Sequence, residues 1–418
     1  MMSIKYIKNE LFIEDMPVSK LAKLYGTPAY IYSKKLIVNN FTSYKKAFSD
    51  GIVCYAVKAN PNQTLLEILA KLGAGADIVS GGELFKALEA GISPEKIVYS
   101  GVGKTSEEIK YALQSGILMF NVESYEELQA INKIAGTLGK KARIAFRVNP
   151  NVDPDTHKYI ATGKHGTKFG IKYEDAFEMY LAASKMKNIE IVGIDTHIGS
   201  QILKIEPYRL AAVKISKLID KLEEKNIILK YIDIGGGLGI KYEKSQKPPK
   251  PAELKKAVMS VFGKYKNKTL IVEPGRSIIG DTGILIGQVI YRKKSGTKTF
   301  LICDIGMNDL IRPTLYEAYH NILPVKKTAK KPVIMDVVGP ICESGDFVAK
   351  DRKFPLLEQG EFIAVECIGA YGSAMSSQYN SRKRSRGMII DGKKIIHIRR
   401  RDEFEDLLRL ERNLEKIK

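Results

Sequence analysis

Between about residue 50 and residue 275 the chain repeats one theme: a short run rich in β-branched residues, a turn rich in Gly, Asn or Ser, then a longer segment whose apolar residues recur every three or four positions. The short runs fall at 52–56, 76–79, 97–100, 117–122, 143–148, 191–197, 231–234 and 270–273, with helical stretches at 64–72, 82–90, 106–115, 124–138, 174–186, 207–224 and 252–265 between them. Eight runs alternating with seven helical stretches predict a parallel sheet closed as a (β/α)8 barrel of the TIM type. An open doubly wound sheet alternates in the same way and is the competing architecture.

One interval breaks the pattern. Residues 149–172, with NPNVDPDTHKYIATGKHGTKFG, are too long and polar for a simple connection, as functional or mobile loops often are. Beyond 276 the helices disappear: extended runs at 284–291, 299–305, 333–338, 362–366 and 395–398 predict a second, mainly antiparallel β domain. The barrel domain is therefore placed at 27–276 and the β domain at 1–26 plus 277–418, with 399–413 as a terminal helix; 4–13 and 28–32 also look extended and are candidates for the β domain. KSQKPPKP at 244–251 reads as a polar loop within the barrel.

No stretch approaches the length of a membrane span, and the N-terminus has no uninterrupted apolar core of a secretory signal, so a soluble cytoplasmic protein is expected. Cys54, Cys303, Cys342 and Cys367 form no C-x-x-C pair, which argues against a disulfide framework or a zinc site. The net charge of +20 would attract nucleic acid, anionic lipid or small anions. The basic runs at 382–386 and 399–401 lack interleaved aromatics, so no nucleic-acid partner is expected.

In a barrel of this type catalytic groups lie at the C-terminal ends of the strands. Lys58 follows the first run, where an incompletely hydrated amine can attack a carbonyl; a solvated lysine is the bland alternative. His197 and Ser200 follow the sixth. His197 could serve as a base, a stacking partner for a flat cofactor, or a satisfied strand-end histidine. Gly235, Gly236 and Gly237 follow the seventh, and their bare N–H groups suit either an anion or a tight turn. The eighth ends in Glu273-Pro274-Gly275-Arg276, where Glu273 could hold a cationic ring nitrogen or pair with a neighbouring base. In the second domain, Cys342 and Glu343 lie in a turn-rich segment, where a thiol of tuned pKa is an acid or base and an untuned one is packing. Residues 370–382 read as a phosphate-facing rim or a flexible turn.

Ten segments in order, LAKLYGTPAYIYS, YAVKAN, DIVSGGEL, KFGI, HIGSQI, DIGGGLGI, EPGRSI, RPTLYEAYH, GPICESGDF and GAYGSAMSSQYNSR, resemble the pyridoxal-phosphate-dependent diaminopimelate decarboxylases of the alanine-racemase-like fold group. The resemblance implies that Lys58 holds pyridoxal 5'-phosphate as an imine, that His197 stacks on its ring, and that Glu273 pairs with the ring nitrogen. It assigns the phosphate to Ser200, Gly235 to Gly237, Gly275 and Arg276, with Tyr371 beside it. Arg276, Arg312 and Tyr316 would take the remote carboxylate of meso-diaminopimelate and Glu343 its remote amino group, with Tyr371 also counted among the substrate-binding residues, while Cys342 reprotonates the carbon that loses CO2 to give L-lysine. The family donates its Cys-Glu segment across a dimer interface, which implies a homodimer with composite sites. Rival readings are a decarboxylase of ornithine, arginine or carboxynorspermidine, whose substrates lack the remote amino-acid group, and a non-catalytic regulatory relative.

Overall fold

The computed structural model describes residues 3–153 and 168–411. The chain divides into two compact units, one of 38–241 and 246–278, the other of 1–37, 242–245 and 279–418.

The first unit is the closed barrel. Its strands are Ile52–Ala56, Gly75–Ile78, Ile97–Tyr99, Met119–Val122, Ala142–Asn149, Ile189–Asp195, Tyr231–Asp233 and Thr269–Val272, each hydrogen-bonded in parallel to the next. The eighth pairs with the first, Ile271 opposite Ile52, which closes the ring and excludes the open sheet. Most strand residues are buried, because helices cover the outer face and side chains fill the inner one.

Polar residues at the strand ends start the helices. Asn62 and Ser80 accept from the backbone N–H three residues on, as does Ser124, and Thr105 with Glu108 forms a reciprocal capping box. The helix Ser106–Ser115 then turns Ile109, Ala112 and Leu113 inward, each large aliphatic contributing roughly 1.5–3 kcal/mol by leaving water. It ends at Gly116, whose φ of +70° favours a residue without a Cβ.

The eighth strand is followed only by the four-residue helix Arg276–Ile279. The helix Lys34–Ala47, absent from the periodicity reading, lies beside this turn: Asn40 Nδ2 donates to the Ile278 carbonyl, and the Tyr44 and Ser277 hydroxyls are 2.6 Å apart. Buried Phe41, Tyr44 and Phe48 supply its apolar face.

The second unit is a nine-stranded sheet with a small N-terminal antiparallel sheet. Its centre is the long strand Gly283–Ser295, which pairs antiparallel with Ala29–Ser33, Lys298–Cys303 and Phe362–Glu366. The pairing of Ala29–Ser33 takes that segment out of the barrel unit. Two pairs are parallel, Lys298–Cys303 with Pro332–Val338 and Arg386–Asp391 with Ala29–Ser33. Of the expected terminal helix, Phe404–Leu408 is formed; residues 412 and 413 lie outside the described residues, as does most of the 149–172 loop.

Candidate active site

The first barrel strand runs straight into a 3-10 turn, Val57–Ala59, which carries Lys58. Lys58 Nζ is ion-paired to Asp77 Oδ2 of the second strand. Asp77 is fully buried, whereas 36% of the Lys58 side chain remains open. The pairing replaces the bland reading of a solvated lysine: this amine is tethered by a buried carboxylate and can still be approached.

Three more carboxylates converge at the strand ends. Asp195 closes the sixth strand, Asp233 closes the seventh and Glu273 follows the eighth. Their oxygens lie within 4.8 Å of one another and all three residues are buried. Burial is the largest cause of their raised pKa values, and repulsion from neighbouring carboxylates, Asp77 among them, adds to it. Asp233 is pushed up to about 7, and Asp195 and Glu273 stand well above the usual carboxylate range.

Asp77 Oδ1, Asp195 Oδ1 and Asp233 Oδ2 are buried without a hydrogen-bond partner. A floor of this kind is costly unless a cation or a strong donor joins it. Oxygen donors of this sort also suit a metal ion, but an ion would account only for the floor and not for the approachable amine of Lys58.

Arg147 on the fifth strand borders the cluster. Burial alone would lower its pKa; Glu123, 3.2 Å from Nη1, and Asp195, 4.0 Å from Nε, more than offset this and raise it. The guanidinium also lies 5.0 Å from the centre of the Phe169 ring. Glu123 accepts in addition from the N–H groups of Gly101 and Gly170, so one carboxylate ties the segments after the third and fifth strands to Arg147.

The remaining strand-end residues, Arg276 among them, form a basic rim. Gly236 donates its N–H to His197 Nδ1. Burial, then the positive charges of Arg147 and Lys58, hold the His197 pKa well below its ordinary value. Gly235 has φ +66°, and a Cβ on Gly236 would fall 2.0 Å from the Glu273 carbonyl oxygen. The glycines are thus required by close backbone packing, and the N–H groups of Gly235 and Gly236 are already engaged by Asp233 Oδ1 and His197 Nδ1, which corrects the expectation of bare donors there. Arg276, 6% exposed, donates from Nη2 to Ser200 Oγ at 3.0 Å. Gly275 sits against Ala56 and Ala59, which flank Val57 and Lys58. Acidic floor, tethered amine and basic rim fit the three ends of pyridoxal 5'-phosphate: its protonated ring nitrogen, its carbonyl and its phosphate.

The second unit holds the remaining candidates. Arg312 opens a one-turn helix, Arg312–Tyr316, and is buried, with Tyr316 half-buried at the end of the helix. Cys342 and Glu343 stand exposed on a turn built around buried Asp346, which accepts from the Ile341 and Met307 N–H groups at 2.6 Å each. Asn380 Oδ1 accepts from the Cys342 N–H at 2.7 Å. Residues 370–382 are folded into the 3-10 turns Ser373–Met375 and Tyr379–Ser381, with Tyr371 and Asn380 at left-handed φ values of 60° and 54°.

Sequence reasoning singled out Glu273 but passed over Asp77, Asp195, Asp233, Arg147 and Glu123. Four of these lie on the strands as charged residues inside apolar runs, and that is the signal that was available.

Residues 34–280 match the family model "Pyridoxal-dependent decarboxylase, pyridoxal binding domain". The chain is 53% identical over 402 residues to a diaminopimelate decarboxylase of Aquifex aeolicus, covering 96% of each. It is 46% identical to the Helicobacter pylori strain J99 enzyme of the same name, over 94% of this chain and 97% of that one. Among solved structures, diaminopimelate decarboxylase from Helicobacter pylori complexed with L-lysine superposes with a TM-score of 0.90 at 45% identity, over 94% of this chain and 99% of that one. The M. jannaschii enzyme in co-complex with L-lysine gives 0.92 at 38%, over 97% and 96%.

Proposed function

The chain belongs to the pyridoxal-dependent decarboxylases, and from that premise we propose that it removes CO2 from the D centre of meso-2,6-diaminopimelate to give L-lysine. The observation that carries the reading is Glu273: a buried carboxylate, backed by two others, at the end of the last barrel strand. Pyridoxal 5'-phosphate is the cofactor, and when bound it supplies a sink for the electron pair left by departing CO2.

Lys58 would hold the cofactor through Nζ, which the Asp77 carboxylate keeps at the mouth of the barrel. Glu273 keeps a proton at the ring nitrogen. The negative field of Asp195 and Asp233 favours this, because a cation there relieves their repulsion. His197 lends its ring as a stacking face. Ser200, Gly237, Gly275 and Arg276 take the phosphate, with Tyr371 beside it, while Gly235 and Gly236, whose N–H groups already donate to Asp233 and His197, shape the turn against it.

Diaminopimelate carries a second amino-acid group, which asks for a forked cation at its carboxylate and an anion at its ammonium. Arg276, Arg312, Tyr316 and Tyr371 supply the first and Glu343 the second. Cys342 returns a proton to the carbon that lost CO2. A thiol and a carboxylate held out on a rigid turn suit delivery to another subunit, so the working enzyme is a homodimer with composite sites. The four cysteines form no disulfide, which suits a reducing compartment, and we place the protein in the cytoplasm.

The test is to incubate the pure holoenzyme with meso-diaminopimelate and, separately, with L-ornithine, following CO2 and L-lysine. Release of both from diaminopimelate is expected; CO2 from ornithine alone would overturn the assignment.

A further inference from the structure

The segment RPTLYEAYH makes a single helical turn from Arg312 and then reverses at Glu317, whose φ is +51°, so that His320 returns to the side chain eight positions earlier. His320 is fully buried. Its Nδ1 lies 2.8 Å from the Glu366 carbonyl oxygen and its Nε2 lies 2.8 Å from Arg312 Nη1. A carbonyl oxygen can only accept, so Nδ1 carries the proton. A guanidinium can only donate, so Nε2 is bare and accepts. The two neighbours together fix a neutral imidazole in one tautomer.

Tyr242 completes the arrangement. Its ring lies 5.0 Å from the Arg312 guanidinium carbon and meets the His320 ring edge-on, with centroids 5.4 Å apart. The guanidinium is thus held by an aromatic ring on one side and by the imidazole lone pair on another, and it cannot roll without losing one of them.

We propose that His320 is a positioning residue for the decarboxylation: it fixes the plane of Arg312 for the distal carboxylate of the substrate. The inference rests on the reading of Arg312 as that carboxylate's partner. A carboxylate in place of His320 would hold the guanidinium as firmly but would cancel charge that the substrate needs. A neutral acceptor orients Arg312 and leaves its charge intact.

The test uses holoenzyme variants, each first checked for its cofactor absorbance band and melting temperature. In His320→Asn the side-chain amide still reaches the Glu366 carbonyl but is too short to accept from Arg312. KM for meso-diaminopimelate should rise roughly tenfold, the size of one hydrogen bond to a charged group, with kcat within about threefold. His320→Gln places an amide oxygen near the Nε2 position and should restore KM to within about threefold of the parent. Because His320 acts through Arg312, His320→Asn combined with Arg312→Lys should bind no worse than Arg312→Lys alone. A folded, cofactor-loaded His320→Asn with unchanged KM overturns the proposal, as do effects that multiply in the double variant. An unchanged KM in Arg312→Lys overturns instead the reading of Arg312 on which the proposal rests.

Discussion

Gly236 donates its backbone N–H to Nδ1 of His197 across 3.1 Å, so the imidazole is neutral there and carries its proton on Nε2. Of the three roles open to this strand-end position, the structure shows a ring held in one state by a glycine turn on the neighbouring strand. Burial reinforces this, and so do the nearby charges of Arg147 and Lys58.

A pH dependence follows from that state. The unfolded chain protonates its histidine as the pH falls through 6.5, whereas folded His197 resists protonation until well below that. In between, the unfolded state binds more protons, so the stability owed to the neutral ring is present above 6.5 and is lost as the pH falls. Thermal unfolding of the holoenzyme from about pH 7.5 to about pH 5 should show the parent losing stability relative to His197→Gln, by on the order of 1–2 kcal/mol. Parallel curves would mean that His197 is protonated in the folded protein.

The carboxylate floor gives the opposite sign. Asp233, ordinarily near 3.8, is pushed up to about 7, so the folded apoprotein holds a proton there that the unfolded chain has already released. Its stability therefore falls as the pH rises from about 4 to about 7. Asp233→Asn keeps an oxygen for the Gly235 N–H and removes the charge. With the cofactor stripped, this variant should be more stable than the parent at about pH 8, by on the order of a few kcal/mol, with the gain vanishing near pH 4. Melting curves of the two apoproteins at both pH values measure it.

The barrel was legible because its runs and helices differ in period, and the strand-end rule then led to Lys58, His197 and Glu273. The floor was not legible. Asp77, Asp195 and Asp233 read as interruptions of apolar strands, and only closure of the ring brings strands two, six, seven and eight to one mouth. His320 lies inside the segment RPTLYEAYH with nothing in the sequence to mark a role, since a reversal at left-handed Glu317 has no periodicity to betray it. The helix Lys34–Ala47 escaped because its polar residues, NNFTSYKK, blur the apolar stripe that buries Phe41, Tyr44 and Phe48.

Gly236 separates the two readings of its turn. A Cβ there would sit 2.0 Å from the Glu273 carbonyl oxygen, which belongs to a strand end and has no side-chain freedom to yield. Gly236→Ala should therefore displace the ends of the seventh and eighth strands, costing about 3 kcal/mol and weakening cofactor retention together. Chemical denaturation and cofactor titration of the same variant test the coupling; full cofactor affinity alongside lost stability would show a turn with no part in the phosphate site.

Cys342 poses the sharpest question of chemistry against structure, because its thiol is exposed while its backbone is tied to Asn380. Replacing sulfur by oxygen leaves that tie in place and raises the pKa of the proton donor beyond useful range. Cys342→Ser should accordingly keep the cofactor and the melting temperature of the parent and lose about a hundredfold in kcat, the size of a misplaced proton donor. If the subunits share their sites, mixing it with an inactive Lys58→Ala chain should regain activity in the mixed dimer, because one of its two sites then has both an intact lysine and an intact thiol. Activity no higher than that of the separate variants would confine Cys342 to its own subunit.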